Sequence, residues 1–131
     1  MKMPLWLLVA TGGALGSIAR WFSEMFLNNF TLNWRFAEFG FNYSILIINV
    51  LGSFVIGIIA GLHKHNVQVW SFWATGVLGG FTTFSAMILI SYWHLLDRYF
   101  GLFILNVSAT FIFAFVAVIL GIRVAQMKSK S

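Results

Sequence analysis

Four long stretches without a charged residue constrain this chain more than any other feature. They are bracketed by Lys2 and Arg20, Glu38 and Lys64, Lys64 and Asp97, and Arg98 and Arg123. A helix needs about 20 apolar residues to cross a hydrocarbon core of roughly 30 Å, and the first stretch reaches that length by continuing past Arg20. Lipid cannot satisfy unpaired backbone groups, so such spans must be helical. The sequence predicts one all-α membrane domain over residues 1–131, with spans at about 4–26, 42–62, 67–95 and 99–123.

The composition identifies lipid as the main solvent and excludes several classes of function. Hydrophobic residues make up 60% of the chain and charged residues 8%, far from the balance of a soluble domain. There is no cysteine, which excludes disulfides and thiolate metal sites. The net charge of +5 is best matched by anionic lipid headgroups, so we expect no nucleic-acid partner. No constellation of nucleophile, base and orienting group is present, and we therefore expect no enzyme.

The basic residues predict an orientation in the membrane. Four spans place the N-terminus, the second loop and the C-terminus on one side, with Lys2, Lys64, Arg123, Lys128 and Lys130. Arg35 and Arg98 lie on the opposite side, partly offset by Glu38 and Asp97. The positive-inside rule then favours cytoplasmic termini with a moderate bias. We expect a multi-pass protein of the inner, or cytoplasmic, membrane.

Small residues at four-residue spacing predict close helix packing. Gly12 and Gly16 form such a pair in the first span, and Ser53, Gly57 and Gly61 repeat the spacing in the second. Small residues at this spacing let membrane helices approach closely. A cleaved signal peptide is the alternative for the first stretch, but its glycine pattern favours a retained span.

The third stretch is longer than one straight span requires and has a poor helix interior between Gly76 and Thr83. We expect a helix broken between Gly79 and Thr83. Unwinding there frees main-chain carbonyl oxygens, which suit a hard cation such as Na⁺. The structural alternative is a glycine kink whose free backbone groups are satisfied by the Thr82 and Thr83 hydroxyls.

The spans contain uncharged hydrogen-bonding residues instead of acidic ones: Asn49, Ser53, Thr82, Thr83, Ser85, Asn106, Ser108 and Thr110. Donors without negative charge suit an anion, although such residues also bond neighbouring helices together. The one embedded charge, Arg20, is near enough to an interface for its side chain to snorkel. Glu24, close to the end of the first span, is the only candidate for a proton-coupled carboxylate.

Three segments carry a specific resemblance to a known family. They are GGALGSIARW from Gly12 to Trp21, NVLGSF from Asn49 to Phe54 with Gly57 beyond it, and GGFTTFS from Gly79 to Ser85. In order and spacing this set resembles the signature segments of the Fluc/CrcB fluoride channels. The resemblance implies an antiparallel, dual-topology dimer with two fluoride pathways along its interface and a central Na⁺ that is not transported.

The resemblance also implies roles for individual residues. The Na⁺ ligands are main-chain carbonyls at Gly79 and Thr82, from both subunits. Asn49 and Phe84 face the fluoride pathway, Ser85 adds a donor, and Asn106 and Thr110 form a polar track on the fourth span. Two positions depart from the family pattern. Met87 stands where the family has a second pathway phenylalanine, and Ile45 stands where it has threonine. A distinct, paralogous partner subunit could supply the missing ring.

The sequence thus predicts a fluoride-selective channel that lowers cytoplasmic fluoride by passive efflux. Two other classes remain open. One is a proton-coupled small multidrug exporter, which would depend on Glu24. The other is a non-conducting subunit of a larger membrane complex. The predicted ligands and partners are fluoride, Na⁺, membrane lipid and a second copy of the chain.

Overall fold

The computed structural model describes residues 3–31, 40–62 and 66–129, and in this part the chain forms helices and no strand. Helix α1 spans Leu5–Thr31 and α2 spans Tyr43–Leu62. Helix α3 consists of three consecutive helical segments, Val67–Val69, Trp70–Leu78 and Gly79–Phe81. Helix α4 spans Phe84–Leu96 and α5 spans Phe100–Ser129.

Four helical segments are long and apolar enough to cross a membrane: Leu5–Thr31, Tyr43–Leu62, Val67–Leu96 and Phe100–Lys128. The third comprises α3 and α4 together. Together with the all-helical structure, these segments confirm the predicted four-span, all-α class. The protein is therefore a multi-pass membrane protein. The predicted orientation depends largely on Lys2, Arg35, Lys64 and Lys130, which lie outside the described residues.

The third span is broken, as predicted, and the break is at Thr82 and Thr83. Both have extended backbones, with φ/ψ of −80°/154° at Thr82 and −145°/107° at Thr83. Before the break, Trp70–Leu78 is a π-helix, a wide and rare form that frequently occurs at functional sites. After the break, the Thr83 hydroxyl accepts a hydrogen bond from the Ala86 amide at 3.2 Å and caps α4.

Helix α1 packs on α3 through the predicted glycine pair. A Cβ added at Gly12 would lie 2.5 Å from the Phe72 carbonyl oxygen, and one at Gly16 would collide with the Val77 carbonyl oxygen. The two backbones therefore touch directly, which only glycine at these two positions permits.

The small residues of α2 divide between two roles. Gly57 lies against the Val118 backbone of α5, and a Cβ at Gly61 would lie 2.5 Å from the Ala125 Cβ. Ser53, which shares their spacing, lines a cleft on the protein surface instead. Gly57 and Gly61 therefore pack against α5, whereas Ser53 lies at the cleft.

Arg20 joins α1 to the end of α3. The sequence predicts that its side chain snorkels to the interface, whereas in the structure its Nε donates to the Gly80 carbonyl oxygen at 3.2 Å. Its Nη1 forms an ion pair with Glu24 Oε1, also at 3.2 Å, and both side chains are about 30% exposed. The guanidinium thus satisfies a carbonyl that the break leaves free, and it engages the only carboxylate of α1.

Replacing Arg20 with alanine should destabilise the protein. The change leaves the Gly80 carbonyl without its donor, at a cost of about 1–3 kcal/mol. It also removes a partly exposed ion pair with Glu24, which contributes about 0.2–0.5 kcal/mol. We expect a clearly lower midpoint in thermal unfolding of the detergent-solubilised protein. Arg123→Ala removes an exposed arginine of α5 and should leave the midpoint near that of the wild type. Equal midpoints for the two variants would contradict a structural role for Arg20.

Candidate functional site

A cleft of about 280 Å³ opens beside the break in the third span. Helices α2, α3, α4 and α5 and the break itself all contribute to its walls. The lining contains seven residues singled out in the sequence: Asn49, Ser53, Gly79, Thr82, Phe84, Met87 and Thr110. Tertiary folding therefore brings together the second, third and fourth spans at one site, and no acidic residue is among the described residues that line it.

Asn49 holds the break open. Its Oδ1 accepts a hydrogen bond from the Thr83 amide at 2.8 Å, and its Nδ2 donates to the Thr83 carbonyl at 3.1 Å. The side chain amide thus replaces two backbone hydrogen bonds that a continuous helix would make. A carboxamide nitrogen carries two hydrogens, so one N–H of Asn49 remains for another acceptor. Asn49 is buried at the wall of the cleft.

The free carbonyl groups at the break differ in their partners. The Gly80 carbonyl oxygen accepts a hydrogen bond from Arg20, and the Thr83 carbonyl oxygen accepts one from Asn49. The Thr82 hydroxyl donates to the Leu78 carbonyl at 2.8 Å, so it does patch the end of α3. The carbonyl oxygens of Gly79 and Thr82, however, accept no hydrogen bond from any residue that the structure describes. Both residues line the cleft, and their oxygens suit a hard cation.

Thr110 presents an unsatisfied hydroxyl. Its Oγ1 is buried and has no hydrogen-bond partner among the described residues, although Thr110 lines the cleft. A buried hydroxyl without a partner costs about 1–3 kcal/mol, which a bound ligand would offset. Ser85 is the opposite case. It is exposed, lies outside the cleft lining, and its Oγ is 3.2 Å from the Thr83 hydroxyl.

Met87 and Asn106 belong to the contact between α4 and α5. Met87 is 1% exposed, and its carbonyl accepts from Ser91 Oγ at 2.8 Å and from Asn106 Nδ2 at 3.3 Å. Asn106 Nδ2 also donates to Ser91 Oγ at 2.8 Å. Both amide hydrogens of Asn106 are thereby used, and Asn106 does not line the cleft. In this structure Asn106 bonds two helices together, and Thr110, one turn further along α5, is the residue that reaches the cleft.

Two aromatic rings meet at the mouth of the cleft. Phe84 is 64% exposed and packs edge-to-face with Phe111, with ring centroids 6.4 Å apart and an interplanar angle of 75°. The positive edge of an aromatic ring attracts negative charge. Phe111 was not singled out from the sequence because it is one of many apolar residues in its span. The feature of the sequence that could have identified Phe111 is its position directly after the polar Thr110.

These features define a class: a polytopic helical membrane protein with a discontinuous third span and, at the break, a mostly apolar cleft whose described lining carries a few neutral polar groups and no carboxylate. Residues 7–122 match the family model described as CrcB-like protein, Camphor Resistance (CrcB). The chain belongs to this family, and the resemblance found in its three segments is confirmed.

Several curated relatives carry the name fluoride-specific ion channel FluC. The one from Opitutus terrae is 38% identical over 128 residues, covering 91% of this chain and 90% of the relative. The one from Ruminiclostridium cellulolyticum is 34% identical over 124 residues, or 90% and 89% of the two chains. The one from Deinococcus radiodurans is 42% identical over 88 residues, or 65% and 66%.

Proposed function

We propose that this chain forms a fluoride-selective channel that lowers cytoplasmic fluoride by passive efflux across the bacterial inner membrane. One observation carries the proposal. The buried Thr110 hydroxyl and the remaining Asn49 N–H lie at the same cleft, where no carboxylate of the described lining residues competes for them. Neutral donors in a narrow apolar surrounding suit a small anion that must lose its water. The names of the relatives support fluoride as that anion.

The cleft residues divide the work of replacing the hydration shell. Asn49 and Thr110 donate hydrogen bonds to the anion, and the ring edges of Phe84 and Phe111 offer it weak positive potential. Ser85, being exposed beside Phe84, can donate at the entrance. Fluoride is the smallest halide and the strongest acceptor, so this arrangement favours it over the larger chloride. The chain carries out no chemical reaction in this mechanism.

A second subunit is needed to enclose the pathway. The cleft is open on one side, Phe84 is largely exposed, and only 22% of the most apolar part of the fourth span is buried within one chain. Backbone and polar groups at membrane depth must be covered by protein or line water. We infer an antiparallel, dual-topology pair made with a second copy, or with a paralogous subunit, and surrounded by lipid.

The same pairing would create a Na⁺ site. The unbonded carbonyl oxygens of Gly79 and Thr82 fit such an ion, and two chains would supply four of them. When bound, Na⁺ would hold the two broken spans against each other and add positive charge near the anion. The ion is structural in this proposal and is not transported.

Liposome flux tests the function directly. The purified chain is reconstituted alone, and loss of internal F⁻ is followed with a fluoride electrode, with Cl⁻ loss measured in parallel. Rapid F⁻ loss without Cl⁻ loss is expected. Absence of F⁻ loss from folded protein would refute a channel made of this chain alone. An exporter should instead lose activity in Glu24→Gln, although the pairing of Glu24 with Arg20 already argues against a free proton carrier.

Phe111 offers a test of the aromatic pair. Phe111→Leu removes the positive ring edge from the mouth of the cleft and should slow F⁻ flux by roughly five- to tenfold, which corresponds to about 1 kcal/mol. Phe113→Leu is the matched control, because Phe113 is an exposed ring of the same helix that does not line the cleft. If the two variants conduct equally in the same liposome assay, Phe111 has no part in the pathway.

A further inference from the structure

A buried histidine continues the inner face of α4 beyond the cleft. The buried residues of this helix are Met87, Ser91 and His94, at spacings of four and three residues. Such residues share one face, and seven residues of helix cover about 10 Å along its axis. The stripe therefore leads from Met87 in the cleft lining to His94 in the last turn before the chain leaves the span.

The His94 ring lacks hydrogen-bond partners. The residue is 3% exposed, and within the described part of the chain neither Nδ1 nor Nε2 has a partner. An imidazole carries at least one N–H donor in every protonation state. Leaving a buried donor unsatisfied costs free energy, so we expect a ligand or an ordered water to form a hydrogen bond with the ring. No acidic side chain of residues 3–31, 40–62 or 66–129 is bonded to it, unlike a histidine held by a structural carboxylate.

The position of His94 relative to Thr110 is what suggests an anion. The buried side-chain atoms without a partner, in the residues that the structure describes, are Thr110 Oγ1 and the two ring nitrogens of His94. Between these two residues lie Ser91 and Asn106, whose hydrogen bonds are satisfied by each other and by Met87. An unsatisfied donor therefore lies on each side of the Ser91–Asn106 contact, Thr110 on one side and His94 on the other.

His94 is also close to the protein surface. A Cβ built at Gly40 would lie 3.8 Å from His94 Nε2, and Gly40 itself is exposed, with a φ of 81°. The ring therefore lies beneath a residue without a side chain, at the end of the span. Asp97 and Arg98, the nearest charged residues along the chain, are exposed in the turn that follows α4.

We propose that His94 forms a second anion-binding station that holds fluoride, one step beyond the Thr110 cleft and next to the membrane surface. The proposal rests on the proposed function, because fluoride is taken as the permeating anion. The ring N–H donates to the ion at Nδ1 or Nε2, and Gly40 leaves room for the ion to reach water. His94 thereby extends the pathway past the contact in which Asn106 is fully engaged.

Ring-nitrogen NMR tests binding independently of conduction. The detergent-solubilised wild-type protein, ¹⁵N-labelled at its three histidines, is titrated with NaF and separately with NaCl. The His94 signals are assigned by their absence from His94→Gln. A saturable shift of these signals with fluoride and none with chloride is expected. Signals that do not respond to fluoride would overturn the proposal and leave His94 bound to water.

Flux through variants gives a second readout. His94→Leu removes the donor and should slow F⁻ flux about tenfold, whereas His94→Gln keeps a donor and should stay within about threefold of the wild type. Leu96→Ala, an exposed position in the same turn, is the control and should conduct normally. Equal flux in His94→Leu and wild type would overturn the proposal. A wild type that shows the fluoride-dependent shift but no flux would refute the channel and retain the site.

Discussion

Asn49→Asp is expected to lower fluoride flux about a thousandfold at neutral pH. The substitution keeps the size of the side chain and the acceptor for the Thr83 amide, but it replaces the Nδ2 donor with negative charge. A carboxylate about 4 Å from an anion in a partly buried site raises its energy by about 4 kcal/mol. It also repels the Thr83 carbonyl. The measurement is F⁻ efflux from liposomes that contain equal amounts of folded protein.

Asn42→Asp is the matched control for this change. Asn42 precedes the same helix, where its Oδ1 accepts from the Ile45 amide, and aspartate serves equally well in such a cap. Asn42 is half-buried and lies outside the cleft, so a charge there should lower flux far less than Asn49→Asp does. Two variants with the same flux would show that Asn49 supports the break without facing the anion.

Gly16→Ala is expected to cost about 3 kcal/mol or more in stability. The added methyl would collide with the Val77 carbonyl oxygen, which belongs to a helix backbone and cannot move by rotating a side chain. Helices α1 and α3 would have to separate, and the break that Arg20 ties to α1 would shift with them. Size-exclusion profiles and thermal unfolding in detergent should show a largely aggregated or early-melting protein.

Gly13→Ala separates this packing effect from the general effect of alanine in a helix. Gly13 lies in the same turn, but its added Cβ would be 4.0 Å from the nearest atom, the Gly76 carbonyl oxygen. Alanine favours a helix over glycine by about 1 kcal/mol, so this variant should be as stable as the wild type or slightly more so. Destabilisation in both variants would mean that α1 does not dock through Gly16.

The architecture could be predicted because lipid imposes strong local rules. Uncharged length sets the number of spans, and four-residue glycine spacing indicates where helices touch. The break was predictable for the same reason, since glycines followed by two threonines make a poor helix interior. The Arg20 contact was not predictable. Its guanidinium is long enough to reach either the interface or a neighbouring helix, and only the position of Gly80 decides between them.

Several residues that the sequence singled out lie at one cleft, but their hydrogen bonds could not be predicted. Asn49 and Thr110 both line the cleft, but Asn106, with the same chemistry and one turn from Thr110, uses both of its amide hydrogens on α4. Phe111 and His94 were not proposed for the site at all. One is a phenylalanine among many, and the other is a lone histidine near a span end, where a surface position is the ordinary expectation.

The sequence by itself determined the solvent, the number of spans, the break and the family, because each depends on composition or on spacing along one chain. Only the tertiary structure decided which polar groups are satisfied and which are left free. A hydrogen bond depends on the distance between side chains of different helices, and identical residues on one face differ in what lies opposite them. The unsatisfied groups at Gly79, Thr82, Thr110 and His94 are therefore a property of the packed helices.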